Sequence, residues 1–565
     1  MKLNYIWSAA LFVLLATGCG SKYPQNFGAN IDTSPELVDM GRATFNKLCA
    51  SCHNFGKDGI GPDLSGLTRS VDKEWIRNFV RDPKAMIQAK DPRAMELYEK
   101  YKVYMQSFPD LSEREMENVI SYLHTFIRRD SLEIELPVPP IKDPIPDTIA
   151  PSGLVVKLKL IGQVPASHEG SPKARINKME CEIRSGRIFI NDLRGTLYEL
   201  KNGEFHAFLS LNAYMDKFIH QPGLGTGFGS FAFHPDFHRN GLFYTTHTES
   251  VETDESDFTY GEGIDRALQW IVTEWKSDAT SANSFSGTHR ELIRADFVSG
   301  VHGMQEITFK PDIVPEDPDY GMLYIAIGDG GAVDKGFPHI ADHQGKKIWG
   351  SILRVDPAGR NSVNGKYGVP ADNPFIGKTG MCGEVWAYGF RNPNRLAWDA
   401  TGRLLATDIG QSNIEEINSI EAGKFYGWPI REGTFLIDPN GKLAHIYPLP
   451  DNDDDLNAEY PLVQYDHDES TAIIGGYVTK DGIFDGQYIF GDIVTGRLFH
   501  SDISGNGPIK IEEWNLFYEN RAVDLYGLTG SSRVDLRFGK DCEENIYILT
   551  KADGRVYKLV GRVSI

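Results

Sequence analysis

Leu37, Met40, Phe45 and Leu48 recur at helical spacing, which predicts a helix over Pro35 to Leu48 with Gly41 as a point of close approach. Ser112-x-x-Glu115 is a capping box. It predicts a second helix, with an apolar stripe of Met116, Val119, Ile120, Leu123 and Phe126. Beyond residue 153 the apolar period changes from helical to alternating. Leu154 to Leu160 reads as a strand, and six short apolar segments each rise from a turn residue: 186–192, 241–247, 321–329, 402–408, 486–492 and 545–550. Such repetition predicts a six-bladed β-propeller with long inserted loops. Pairing of Leu154–Leu160 with Gly554–Val560 would close the ring and hide its free edges. A sandwich-rich two-domain arrangement is the structural alternative. The fold class is therefore multidomain, a small all-α domain followed by an all-β propeller.

The two patterns are separated by a stretch holding Pro137, Pro139, Pro140, Pro144, Pro146 and Pro151, an extended and semi-rigid spacer. A chain of 565 residues is long enough for two or more domains, and 41% apolar with 24% charged residues is a globular composition. The formal charge of −20 argues against nucleic acid, whose phosphates would be repelled. At the N-terminus, Lys2, the apolar run Ile6–Leu15 and Ala16-Thr17-Gly18-Cys19 have the order of a secretory signal too short to span a bilayer. Cys19 directly after Ala-Thr-Gly resembles a bacterial lipobox, implying cleavage before Cys19, lipidation of its thiol and a lipid-anchored place in the cell envelope. The expected organisation is a signal over 1–18, a tether over 19–30, a helical domain over 31–130, a linker over 131–152 and the propeller over 153–565.

Cys49-Ala-Ser-Cys52-His53 is a C-x-x-C-H motif, the attachment signature of c-type haem. Two thiols one helical turn apart can each form a thioether, and the next residue then sets an imidazole on the iron. No second cysteine pair completes a four-thiolate zinc site, and an export signal suits haem attachment. Cys181, Cys382 and Cys542 remain, and one disulfide among them leaves the pair open. With its flanking helices, the motif resembles a class I cytochrome c over about residues 31–130. That resemblance implies Met105 as the sixth iron ligand, ahead of Met86 and Met95, and Pro62 as the residue whose carbonyl orients His53. His/Met ligation raises the haem potential, which suits an acceptor of electrons from an organic reductant.

In the β-rich part, Phe231-Ala-Phe-His-Pro-Asp-Phe237, Gly328-Asp-Gly-Gly331, Ala371-Asp-Asn-Pro-Phe375, Gly389-Phe-Arg-Asn-Pro393, Glu415-Glu-Ile-Asn418, Tyr426-Gly-Trp-Pro429 and Ile474-Gly-Gly-Tyr-Val478 occur in order. The series resembles the glucose/sorbosone dehydrogenase family, quinoproteins that use pyrroloquinoline quinone (PQQ) and calcium. It also resembles the propeller of Hedgehog-interacting protein, which need not be an enzyme. The resemblance implies His302 as catalytic base, with Arg391 and Asn392 touching the quinone. It puts Asp329 at an acidic position facing the pocket, and leaves Arg533 as what survives of two late arginines that hold PQQ. Backbone carbonyls at Gly410 and Gln411 would bind the calcium at PQQ, and Glu416 with the Tyr426 backbone a second, structural calcium. Three departures stand out: Gly225 replaces a glutamine, Val301 an aspartate beside the base, and Val494 a lysine that pairs with PQQ.

A sugar or alcohol dehydrogenase that passes electrons from PQQ to a tethered haem, and on to a downstream acceptor, is the expectation. A haem carrier whose propeller only binds a glycan or protein is the alternative.

Overall fold

In the computed structural model, residues 31–56, 58–126, 138–251, 255–261, 263–480, 482–504 and 509–563 are described. The signal and the Cys19 anchor lie outside them. None of the described helices is long and apolar enough to cross a membrane.

The N-terminal part is helical. Its first helix, Pro35–Leu48, has the predicted bounds. The helix Glu113–His124 opens on the predicted capping box: Glu115 N–H donates to Ser112 Oγ at 3.2 Å and Ser112 N–H to Glu115 Oε2 at 3.0 Å. These reciprocal bonds satisfy donors a helix end otherwise leaves bare. The two helices cross at Gly41, where a Cβ would stand 1.9 Å from the Asn118 carbonyl oxygen. Only glycine permits that approach. Phe45, Leu64, Val119 and Leu123 form the core beneath the crossing. Phe126, assigned to the helical stripe from sequence, lies past the helix end and stacks on Phe55 instead. Short helices over Leu67–Ser70, Lys73–Arg81, Pro83–Gln88 and Pro92–Tyr101 complete the described helices of this part.

The remainder is β-rich. Antiparallel four-stranded runs span 176–210, 228–297, 306–388, 393–466 and 473–518. Another is formed by the strands within 536–562 together with Ala150–Gln163. All six apolar segments singled out in the sequence are the second strand of a run, for example Leu323–Ile327 and Ile546–Thr550. Such a strand pairs on both edges and packs on both faces, so it carries the longest apolar stretch. Ala150–Gln163 pairs antiparallel with Arg555–Arg562, with Leu158 opposite Leu559 and Leu160 opposite Tyr557, as the alternation predicted. Apolar clusters are shared by successive runs: Phe189 and Phe208 pack with Phe231 and Trp275, and Tyr547 and Leu549 with Ile176 and Ile190.

Cys181 and Cys542, 361 residues apart, form a disulfide that links the first run to the last; Cys382 is a free thiol. The described part of the linker is laid against the β-rich part, not suspended between the two. Ile141 N–H donates to the Ile446 carbonyl at 2.9 Å, Ile145 N–H to Asp466 Oδ2 at 3.1 Å and Ile149 N–H to Glu469 Oε1 at 3.0 Å.

Candidate functional site

Each strand run of the β-rich part begins and turns back on one end of the domain. Residues just before a first strand, such as His302, Arg391 and Arg533, therefore gather with residues just after a second strand, such as Asp329, Gly410, Val494 and Lys551. The helical part sits over this end. A single cavity of about 2670 Å³ is lined on one side by Cys49, Cys52, His53 and Met105, and on the other by His302, Arg391, Asn392 and Arg533. Met86 and Met95 do not line it; Met116 borders it but is packed into the apolar core of the helical part.

On the haem-motif side, the His53 ring is held by the Pro62 carbonyl, 3.1 Å from Nδ1. That contact leaves Nε2 as the free ligand atom. Gly61 lies flat against the ring, where a Cβ would come within 2.5 Å of His53 Cε1. Two thiols, one oriented imidazole and a methionine around one cavity fit a covalently held haem. The β-rich part contacts the motif directly: Lys335 Nζ donates to the Ala50 carbonyl, to the His53 carbonyl at 3.3 Å and to Asn54 Oδ1 at 3.0 Å.

On the other side, His302 stands at φ 50°, a left-handed conformation that a side-chain-bearing residue adopts at a cost of about 1–2 kcal/mol. The loop Gly328–Gly331 wraps it: Gly330 N–H donates to the His302 carbonyl at 3.2 Å, and a Cβ on Gly328 would lie 2.4 Å from that oxygen. His302 Nδ1 donates to Asp329 Oδ1 at 2.7 Å; Gly331 N–H donates to the same oxygen at 2.8 Å, and Trp428 Nε1 to Asp329 Oδ2 at 3.1 Å. Asp329 is thereby kept ionised below the usual carboxylate range, with His302 the main influence opposing its burial. Burial, then the Arg391 charge, lowers the His302 imidazole below its ordinary pKa, so the ring is neutral at pH 7. Asp329 does not itself line the cavity, so it acts on His302 rather than on a ligand.

Arg391 is fixed by Gln411 Oε1 at 2.9 Å, the Gly410 carbonyl at 2.6 Å and the Ile409 carbonyl at 3.2 Å. Asp408 accepts the backbone N–H of both Arg391 and Asn392, aiming the pair at the cavity. Asn392 Oδ1 is buried with no partner among the described residues. An unfilled buried acceptor beside several cationic side chains fits an anionic, hydrogen-bonding ligand such as PQQ.

The calcium expectations divide. The Gly410 carbonyl already receives the Arg391 guanidinium, so the Gly410–Gln411 segment does not fit a second cation as arranged. Glu416 is buried near Glu432 and Glu415, and burial followed by these neighbours raises its carboxyl to about 7. That surplus of negative charge fits a cation, although no ligand atoms of Glu416 converge with those of other acidic residues into a metal-holding cluster among the described residues.

Gln305 was missed from sequence. Gly225 leaves a gap that the Gln305 side chain fills, with Nε2 1.7 Å from where a Gly225 Cβ would stand, and both line the cavity. A glutamine amide is thus present there after all, supplied by the segment that follows His302. Val301 and Val494 line the cavity as apolar wall.

Comparisons with known proteins bear on both halves. The family model described as Glucose / Sorbosone dehydrogenase matches residues 181–558, and that described as Cytochrome c matches residues 38–126. HIPL2 protein of Arabidopsis thaliana is 28% identical over 395 residues, covering 60% of this chain and 54% of that protein. Human Hedgehog-interacting protein is 25% identical over 416 residues, covering 70% and 51%. The chain thus spans about half the length of these curated relatives. The apo-form crystal structure of the soluble aldose sugar dehydrogenase from Escherichia coli superposes with a TM-score of 0.50 at 18% identity, over 72% of this chain and 100% of that one, a likeness of fold.

Proposed function

The chain belongs to the glucose/sorbosone dehydrogenase family, and from that premise we propose that it oxidises a sugar or other alcohol in its β-rich half and hands the electrons to the haem-binding half. The observation that carries this is the shared cavity: the haem-motif residues and His302, Arg391 and Asn392 line the same space. We read the strand runs, packed pairwise through their apolar clusters, as six blades of a propeller whose upper end the haem-binding half covers.

A bound PQQ would supply a two-electron acceptor, and a covalent haem at Cys49, Cys52, His53 and Met105 a one-electron carrier. The residues of this chain then have defined tasks. With Nδ1 committed to Asp329, His302 presents Nε2 as the acceptor of the substrate hydroxyl proton. Asp329 fixes that tautomer and stabilises the imidazolium that forms. Arg391 and Asn392 would hold the quinone end of such a cofactor, Arg391 offering positive charge and Asn392 Oδ1 a hydrogen-bond acceptor, and Arg533 would offer a cation to a carboxylate. Calcium at Glu416 and the Tyr426 backbone is part of the same reading. With a signal ahead of Cys19, the protein works as a lipid-anchored component of the bacterial envelope, feeding a downstream redox acceptor. Its charge of −20 argues against a nucleic acid partner.

Purified haem-loaded protein reconstituted with PQQ and calcium, then mixed with a panel of sugars and alcohols, should show reduction of the haem absorption bands. A second reading is that the β-rich half only binds a glycan or a protein. It draws on the apolar Val301 and Val494 in the cavity wall. Absence of both PQQ binding and haem reduction would establish that reading in place of the first.

A further inference from the structure

Lys551 follows the second strand of the last run and is 3% exposed. Its Nζ makes no hydrogen bond and no ion pair within 4.0 Å among the described residues, yet the residue lines the shared cavity. A buried ammonium without a partner is expensive, and proteins keep one where a ligand completes it.

Its surroundings sharpen the point. Leu536 pairs with Thr550 across the two strands, and Lys551 N–H donates to the Asp535 carbonyl at 3.4 Å, so residues 535 and 551 stand opposite each other. Arg537 pairs with Leu549, two residues before Lys551, so a strand period of two sets Arg537 on the side of Lys551, and Arg533 lines the same cavity. Leu536 and Phe538 point the other way, into an apolar cluster. Arg537 gives Nε to Asn177 Oδ1 at 3.0 Å and Nη1 to the Leu536 carbonyl at 2.6 Å, neither a charged partner. Arg533 holds Asp535 through Nε at 2.8 Å. Arg175, also on the cavity wall, is spent on the carbonyls of His220, Leu224 and Thr226. Asp535 is the single carboxylate among the groups acting most strongly on Lys551 and Arg537, against Arg175, Arg395 and Arg533. Burial and these cations hold the Lys551 ammonium well below its ordinary pKa. Four basic side chains, Arg175, Arg533, Arg537 and Lys551, thus line this part of the cavity with Asp535 as the carboxylate between them.

We propose that Lys551, with Arg537 and Arg533 beside it, forms a binding site for a carboxylate group inside the cavity, and that a carboxylate of the quinone cofactor occupies it. The identity of the occupant rests on the function proposed above; the site rests on the unpartnered ammonium. An acidic sugar would offer the same chemistry from a second source.

Haem-loaded wild type, Lys551→Met and Arg537→Gln should be titrated with PQQ and with its uncharged trimethyl ester by quenching of tryptophan fluorescence. Losing one charge-assisted bond should weaken PQQ binding roughly 10- to 100-fold while leaving ester binding unchanged. Without ligand, Lys551→Met should melt at or above the wild-type temperature, because it removes an uncompensated buried cation. A lower melting temperature, with PQQ affinity unchanged, would show a structural lysine and overturn the site while leaving the proposed function standing. Should wild type not bind PQQ at all, the function falls separately. D-galacturonate against D-galactose then decides: preference for the acid, lost in Lys551→Met, sustains a carboxylate site, and no preference ends it.

Discussion

The two walls of the cavity were assembled in different ways. On the haem side, three of the four residues proposed to hold the haem lie in five consecutive positions, Cys49 to His53, and Pro62 and Gly61 hold the imidazole from a few positions away. On the β-rich side, His302 with Asp329, Arg391 with Trp428, and Arg533 with Lys551 come from three different strand runs and meet because every run opens on the same end. A contiguous motif has one solution, since its geometry is set by neighbouring peptide units. A pocket drawn from many runs has several, and this chain uses that freedom: Gln305 supplies an amide where Gly225 lacks one, and Lys551 supplies a buried cation while Val494 is apolar. A departure at one position of such a pocket therefore says little until its spatial neighbours are known.

The contrast can be broken from the β-rich side first. His302→Ala should cut haem reduction by substrate roughly 1000-fold while the haem spectrum stays intact, read by stopped-flow absorbance. Loss of the haem signal together with turnover would mean the two walls are not separable.

Asp329→Asn should cost about 100-fold in kcat/KM, since the carboxylate orients His302 and stabilises its charged form. The sign of its pH effect follows from the same contact. His302 works as a base when neutral, so wild-type activity falls as pH drops through an imidazole pKa lying below 6.5. Asp329 opposes that lowering, so its removal should move the acid limb of the profile to still lower pH.

Lys335→Glu should sharpen the comparison at the boundary. Lys335 reaches from the β-rich half to the haem-motif carbonyls, so its loss should slow internal electron transfer about tenfold. Oxidation of substrate with an external dye as acceptor should stay unchanged.

The smallest effect on turnover belongs to Gly41→Ala. Its methyl would meet the Asn118 carbonyl, so the helical part should lose about 1–3 kcal/mol. Calorimetry should show its transition move down while that of the β-rich part stays in place.

The sequence determined by itself whatever depends on near neighbours. The bounds of the first helix, the capping box at Ser112, the haem motif and the second strand of every run were legible as periodicity or spacing, while the Pro62 contact to His53 came from the cytochrome resemblance. Gly41 was legible as a close approach, and the structure identified what approaches. Resemblance supplied His302, Arg391 and Asn392, and the structure brings all three to one cavity. Only the tertiary structure decided that Asp329 serves His302 from behind the wall, that Trp428 holds Asp329, and that Arg391 occupies the Gly410 carbonyl. It alone chose Cys181 with Cys542 among three cysteines, and showed that Lys551 is buried without a partner. The reason is range. Hydrogen bonding along a helix or across a turn acts over a few residues and leaves a pattern in the chain. The charge balance of a cavity depends on side chains hundreds of positions apart, brought together by the packing of whole sheets.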